Sequence, residues 1–167
     1  EARGEIIGYL DDDMFLSKTW IQGVRHIVDR SCEAVVGRVL PFWESGNPPD
    51  WLMRLSKDTV AQFLGLSEHG NIAKPIDPLY VLGGCTFFRK NVIFDLRGFH
   101  PDGVPSSQLS YRGDGETGLM LKFRAAGLRS YYDPVATSQH RINADRITVE
   151  YLCKRAYSQG ISDSFKK

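Results

Sequence analysis

The alternation of apolar and polar positions divides the chain into short strand-type runs and helical stretches. Ile6-Ile7-Gly8-Tyr9-Leu10 is an apolar run of buried-strand type, covering residues 5–10, and it stops abruptly at Asp11-Asp12-Asp13. Ser17, followed by Trp20, Ile21, Val24, Ile27 and Val28 at helical spacing, predicts a helix with Ser17 as its N-cap. Residues 34–39 are rich in β-branched side chains and predict a second strand. Pro41, Gly46, Pro48 and Pro49 make residues 40–50 a loop, after which Asp50 caps a helix over 51–64. Its buried face takes Leu52, Leu55, Val60, Phe63 and Leu64. Residues 67–78 are polar and aperiodic.

Further on, residues 80–89 predict a strand interrupted by Gly83-Gly84, and 90–96 a short helix stopped at Gly98. Two prolines and three serines make 99–112 a long loop. Residues 114–126 form the next helix, with Leu119, Met120 and Phe123 inward and Gly127 as its stop. Residues 129–132 and 135–140 are extended, and the last helix covers 146–158. Strands alternating with helices indicate a layered α/β domain. No internal repeat or linker divides it, so residues 1–167 read as a single domain.

Composition narrows the class. Hydrophobic residues make up 42% of the chain and charged residues 25%, with a net charge of +1. This excludes a disordered chain and a protein that binds nucleic acid by bulk charge. No apolar run approaches the roughly 18–20 residues a bilayer requires. Three cysteines without CxxC spacing argue against a disulfide framework or a cysteine-rich zinc site, and for a reducing compartment.

Three carboxylates directly after a buried strand repel one another unless a cation neutralises them. In an extended chain Asp11 and Asp13 project to one side and Asp12 to the other, a pincer suited to Mg²⁺ or Mn²⁺. The triplet stands at a strand's carboxyl end, where open α/β sheets collect ligands. The competing reading is a solvated acidic turn.

Gly113-Asp114-Gly115-Glu116 opens a helix. A carboxylate there can act as a general base, or simply favour the positive end of the helix dipole. His140, with Arg141 and Arg146 nearby, could ligate a metal, contact phosphate, or sit in a polar pocket. Gly83-Gly84 marks either close approach of a sugar or backbone, or a bulge. Cys85 has no histidine partner that would activate it. Trp43 and Trp51 are carbohydrate-stacking or core residues.

The order of these segments resembles the family 2 glycosyltransferases of GT-A fold. It carries Leu10-Asp11-Asp12-Asp13, then Gly83-Gly84-Cys85-Thr86-Phe87-Phe88-Arg89, Gly98-Phe99, and Gly113-Asp114-Gly115-Glu116-Thr117. Arg124-Ala125-Ala126-Gly127, Tyr132-Asp133-Pro134, His140-Arg141, and the segment from Tyr151-Leu152 to Gly160-Ile161-Ser162 continue it over nearly the whole chain.

The resemblance implies a partial GT-A (Rossmann-like) three-layer α/β/α domain with a mixed central sheet. It implies inverting transfer of a sugar from a nucleotide-diphospho-sugar of UDP or GDP type to a carbohydrate or lipid-linked acceptor hydroxyl, in polysaccharide or glycoconjugate synthesis. Asp11, Asp13 and His140 would hold Mn²⁺ or Mg²⁺. Asp12, Gly83, Gly84, Arg141 and Arg146 would face the donor's diphosphate and sugar. Glu116 or Asp114 would be the base, since Gly-Asp-Gly-Glu departs from the family's commoner Gly-Glu-Asp. The implied location is cytoplasmic or peripheral at the inner membrane face.

An apolar strand only six residues into the chain predicts a partner strand before it. The resemblance places a nucleotide-binding half of roughly a hundred residues there, so self-association through the exposed strand edge is a further expectation. Two rivals remain: a Mg²⁺-dependent phosphotransferase or hydrolase, for which the sequence lacks a GxxxxGK[ST] loop, and a non-catalytic carbohydrate-binding module.

Overall fold

The computed structural model describes residues 2–29, 32–81, 83–99 and 115–164. Its centre is a mixed sheet. In chain order the strands are β1 (Ile6–Tyr9), β2 (Met14–Leu16), β3 (Ala34–Trp43), β4 (Lys74–Ile76), β5 (Thr86–Arg89) and β6 (Ser130–Ile142). The helices are α1 (Gly23–Asp29), α2 (Asp50–Met53), α3 (Lys57–Leu64), α4 (Lys90–Asp95), α5 (Gly115–Ala125) and α6 (Val149–Ser164). The spatial order is β1-β5-β3-β6-β2, with β4 also paired to β6. Among the described residues only β3 and β6 run parallel, and every other pair is antiparallel. The chain is thus a mixed α/β protein, as its alternating pattern predicts.

Side-chain alternation along the central strands creates two cores. Ala34, Val36, Phe88 and Tyr132 face one way, and pack with Val92 and Ile93 of α4 and Leu119, Met120 and Phe123 of α5. Val35, Phe87 and Ala136 face the other way, against Ile27 of α1. A third cluster, Leu52, Leu64, Ile142 and Leu152, joins α2, α3 and α6 to the end of β6. Trp43 and Trp51 pack against this third cluster and serve as core.

Several boundaries differ from the sequence expectation, each for a physical reason. The extended stretches 129–132 and 135–140 are one strand, β6. Its pairing with β3 jumps from Gly37↔Asp133 to Arg38↔Thr137, so three residues bulge out. Gly37 accommodates the bulge, since a Cβ there would stand 2.1 Å from the Ala136 carbonyl oxygen. β3 continues through Pro41 to Trp43 where a loop was expected. On its other edge β3 makes its last bonds at Gly37, to Cys85, and at Val39, to Ser67; Pro41 lies beyond them, so a residue without an N–H there costs no ladder bond.

The single helix expected over 51–64 is two. Pro49, not Asp50, precedes α2, and the chain restarts at Ser56, whose Oγ accepts from the Thr59 N–H at 3.1 Å. Leu55, in the break, is exposed. Ser17 caps no α-helix either. It begins a 3-10 turn over Trp20–Gln22, and of the helix expected there Ile21 and Val28 are exposed.

The aperiodic stretch 67–78 supplies β4, too short for periodicity to reveal. Strand structure in 80–89 begins only at Thr86, and Gly83-Gly84 lie ahead of it. Arg146 belongs to a 3-10 turn, Ala144–Ile147, before α6 rather than to the helix. Asp114 and the loop expected over 100–112 lie outside the described residues.

α5 carries Glu116, and its other end is clasped to the turn Pro78–Tyr80. Asp77 accepts from the Leu79 N–H at 2.9 Å and from Arg124 of α5 at 2.5 and 3.2 Å. Arg124, and after it the Leu79 N–H, holds the Asp77 carboxyl below the ordinary carboxylate range. A carboxyl held lower in the folded than in the unfolded chain adds stability that is complete above about pH 4 and is lost as pH falls through the folded value. Asp77→Asn should therefore lower the melting temperature at pH 7, with a gap that closes as pH falls below about 4. Melting curves across that range check this; a gap independent of pH would count against the clasp.

Candidate functional site

The acidic triplet is a turn joining β1 to β2. Because it turns, its side chains do not alternate as they would in a strand. Asp11, Asp12 and Asp13 all line one open cleft of about 560 Å³, together with Gly83, Glu116, His140 and Arg146.

Strand pairing delivers His140. β2 runs antiparallel to β6 with Met14 opposite His140, and the Arg141 N–H donates to the Asp13 carbonyl at 2.9 Å, which extends the ladder into the turn. Alternation along β6 then sends Ser138, His140 and Ile142 inward and Gln139 and Arg141 outward. Arg141 is consequently absent from the cleft lining, and its guanidinium pairs with Glu44.

The C-terminus of α3 orients the imidazole. Gly65 ends that helix at φ 64°, and a Cβ there would stand 3.3 Å from the His140 ring. Glycine thus lets His140 Nδ1 approach the Leu64 carbonyl at 2.7 Å. A carbonyl oxygen only accepts, so Nδ1 carries the proton. Nε2 faces the Arg146 guanidinium at 2.7 Å, and that group only donates, so Nε2 presents its lone pair. Asp13 Oδ2 stands 3.1 Å from Nε2 and 3.0 Å from a second nitrogen of Arg146. Two acceptors, one anionic, therefore converge on one cation.

Asp11 is held by a different contact. The antiparallel β1–β5 register, Tyr9 opposite Thr86, brings Asp11 against Gly84 when continued past the strand ends. A Cβ on Gly84 would lie 2.7 Å from the Asp11 backbone nitrogen and from its carboxyl group. The close approach that two glycines signal is thus to the acidic turn itself. Partial burial raises the Asp11 carboxyl above its usual range. Asp13 and Asp12 push it the same way, and His140 and then Arg146 pull it back.

Gly83, beside it, donates its N–H to Glu116 Oε2 at 3.3 Å. Glu116, in the first turn of α5, also borders a smaller apolar cleft of about 290 Å³ lined by Tyr9, Phe88, Phe99 and Met120. Cys85 is buried, and burial raises its thiol above the usual value, which disfavours the thiolate a nucleophile needs.

The cleft has two members that the sequence reading missed, Tyr151 and Arg155. Their i, i+4 spacing on α6 was a legible signal that they share a face, but not of what that face meets. Among the described residues, no group of three or more His, Cys, Asp or Glu side chains is placed to hold a metal ion unaided. Asp13 and His140 offer two donors side by side, and Asp11 borders the same space.

Fold and site together define a mixed α/β protein with a charged cleft at the carboxyl end of β1. No protein-family model matches the chain, and no curated protein is similar enough to count as a relative. No helix among the described residues is long and apolar enough to cross a membrane.

Gly84→Ala should disturb this cleft from beneath, because one of the atoms it would meet, the Asp11 nitrogen, is backbone and cannot swing aside as the carboxyl can. A loss of about 1–3 kcal/mol in urea denaturation is expected, as for other overpacked sites. Faster amide exchange over 11–13 should accompany it. Unchanged stability and exchange would show that the turn is not seated on Gly84.

Proposed function

We propose that the protein is an inverting glycosyltransferase of the GT-A, family 2 type, taking a sugar from a UDP- or GDP-type donor to a carbohydrate or lipid-linked acceptor hydroxyl. One observation carries the reading: Asp11, Asp13, Glu116, His140 and Arg146, scattered from one end of the chain to the other, line the same cleft. The mixed sheet with α1 on one face and α4 and α5 on the other supports a partial GT-A domain. The cytoplasmic side of a membrane, where nucleotide-sugars are used, is part of the same proposal.

The donor chemistry suits a hard divalent ion, Mn²⁺ or Mg²⁺. Such ions take one or two carboxylates and complete their shell with substrate phosphate oxygens, so three protein donors are not required. Asp13 and His140 already share a cation in Arg146, and Asp11 stands at the same wall. When bound there, the ion would stabilise charge on the departing diphosphate.

The chain's own residues do the rest. Arg146 and Arg155 present guanidinium groups to an anionic ligand, with Gly83 leaving the cleft floor open. Glu116 accepts the proton of the acceptor hydroxyl as that oxygen attacks the anomeric carbon and the bond to the diphosphate breaks. The Gly83 N–H fixes the Glu116 carboxylate for this role. Asp114 stays the alternative base.

The test is release of nucleoside diphosphate from a panel of UDP- and GDP-sugars by the full-length protein with Mn²⁺, the product anomer read by NMR. Asp13→Ala should abolish metal-dependent turnover while circular dichroism stays unchanged; full activity in that variant would remove the metal assignment.

Glu116→Gln should lower kcat about 10²–10⁴-fold with little change in donor affinity, since it keeps the shape and removes proton acceptance. If Asp114→Asn has that effect and Glu116→Gln does not, Asp114 is the base.

A further inference from the structure

We infer that Arg146 is a built-in stand-in for the divalent cation, which must be displaced before a metal ion can take Asp13 and His140 together. The inference rests on the metal reading above but adds a competitor within the chain. One guanidinium nitrogen lies 2.7 Å from His140 Nε2 and another 3.0 Å from Asp13 Oδ2. These are the lone pairs that a metal ion would use. The Leu64 carbonyl fixes the imidazole so that Nε2 has no other orientation to offer. Asp13 Oδ2 and Nε2 stand 3.1 Å apart, so a single cation reaches both.

The arrangement solves a problem of the acidic turn. Asp11, Asp12 and Asp13 crowd one turn, and His140 is buried with its Nε2 aimed at them. That crowding of carboxylates calls for a cation beside Asp13 and Nε2. Arg146 supplies that cation from a short 3-10 turn, and its side chain is about one-third exposed, so it can leave without unfolding a helix. Once displaced it stays beside the cleft, free to donate to the phosphate oxygens that enter with the ion. Metal and diphosphate binding are thereby coupled through one side chain.

Mn²⁺ binding to the full-length protein without nucleotide, followed by the electron paramagnetic resonance signal of the free ion, tests this. If Arg146 holds the pair about nine-tenths of the time, Arg146→Met should bind Mn²⁺ roughly tenfold more tightly than the parent. Arg146→Lys should stay near the parent, because an ammonium still competes as a point charge. Asp13→Asn should lose binding in either background. In chelator, Arg146→Met should melt below the parent and recover more when Mn²⁺ is added. If Arg146→Met does not fold, Arg146→Gln takes its place, with the same tightening expected. Equal or weaker binding by the Met and Gln variants, with binding still lost in Asp13→Asn, would overturn the stand-in role and leave the metal reading intact. Binding by neither parent nor variants at millimolar Mn²⁺ would overturn both.

Discussion

The arrangement depends on the hydrogen bonding of β6. Along one edge this strand pairs in parallel with β3; along the other it pairs first with β4 and then with β2. Parallel partners so far apart in the chain need a crossover connection between them. Here that connection lays α4 and α5 over one face of the sheet, while α1, which precedes β3, covers the other. The bulge at 134–136 lets the second half of β6 keep a ladder with β3 while presenting its other edge to β2. Without that continuation, His140 would not lie opposite Met14, and the acidic turn would have no imidazole beside it.

The second constraint is electrostatic. Crowded carboxylates are tolerable where a positive group answers them, and here Arg146 does so directly. Because the answering group is a side chain on a surface turn, the site remains adaptable. A structural ion pair deep in the core would cost far more to open. The contrast with Asp133 is instructive. Its carboxylate is buried, accepts from the Val135 N–H at 2.8 Å and pairs with His26 at 2.9 Å. That pairing anchors the bulge to α1.

Glycine placement links the two constraints. Gly37 admits the bulge, Gly65 admits the imidazole, and Gly84 admits the acidic turn. In each case the neighbour that a Cβ would meet belongs to a segment remote in sequence. These positions therefore record tertiary contacts rather than local turns.

The sequence by itself determined the α/β alternation, the inward face of α5, and the helix stops at Gly98 and Gly127. These follow from side-chain period and from backbone freedom, both properties of a few consecutive residues. It also marked Asp11–Asp13 and Glu116 as chemically unusual, since carboxylates beside apolar runs stand out locally. Tertiary structure alone decided which of His140 and Arg141 enters the cleft, that Tyr151 and Arg155 join it, and that Gly84 supports Asp11. His140 and Asp13 are 127 residues apart, and their meeting is set by the register of β2 on β6. A shift of one residue in that register would send Arg141 inward and His140 to solvent. Strand register is an energy summed over a whole sheet, and no single segment of the chain carries it.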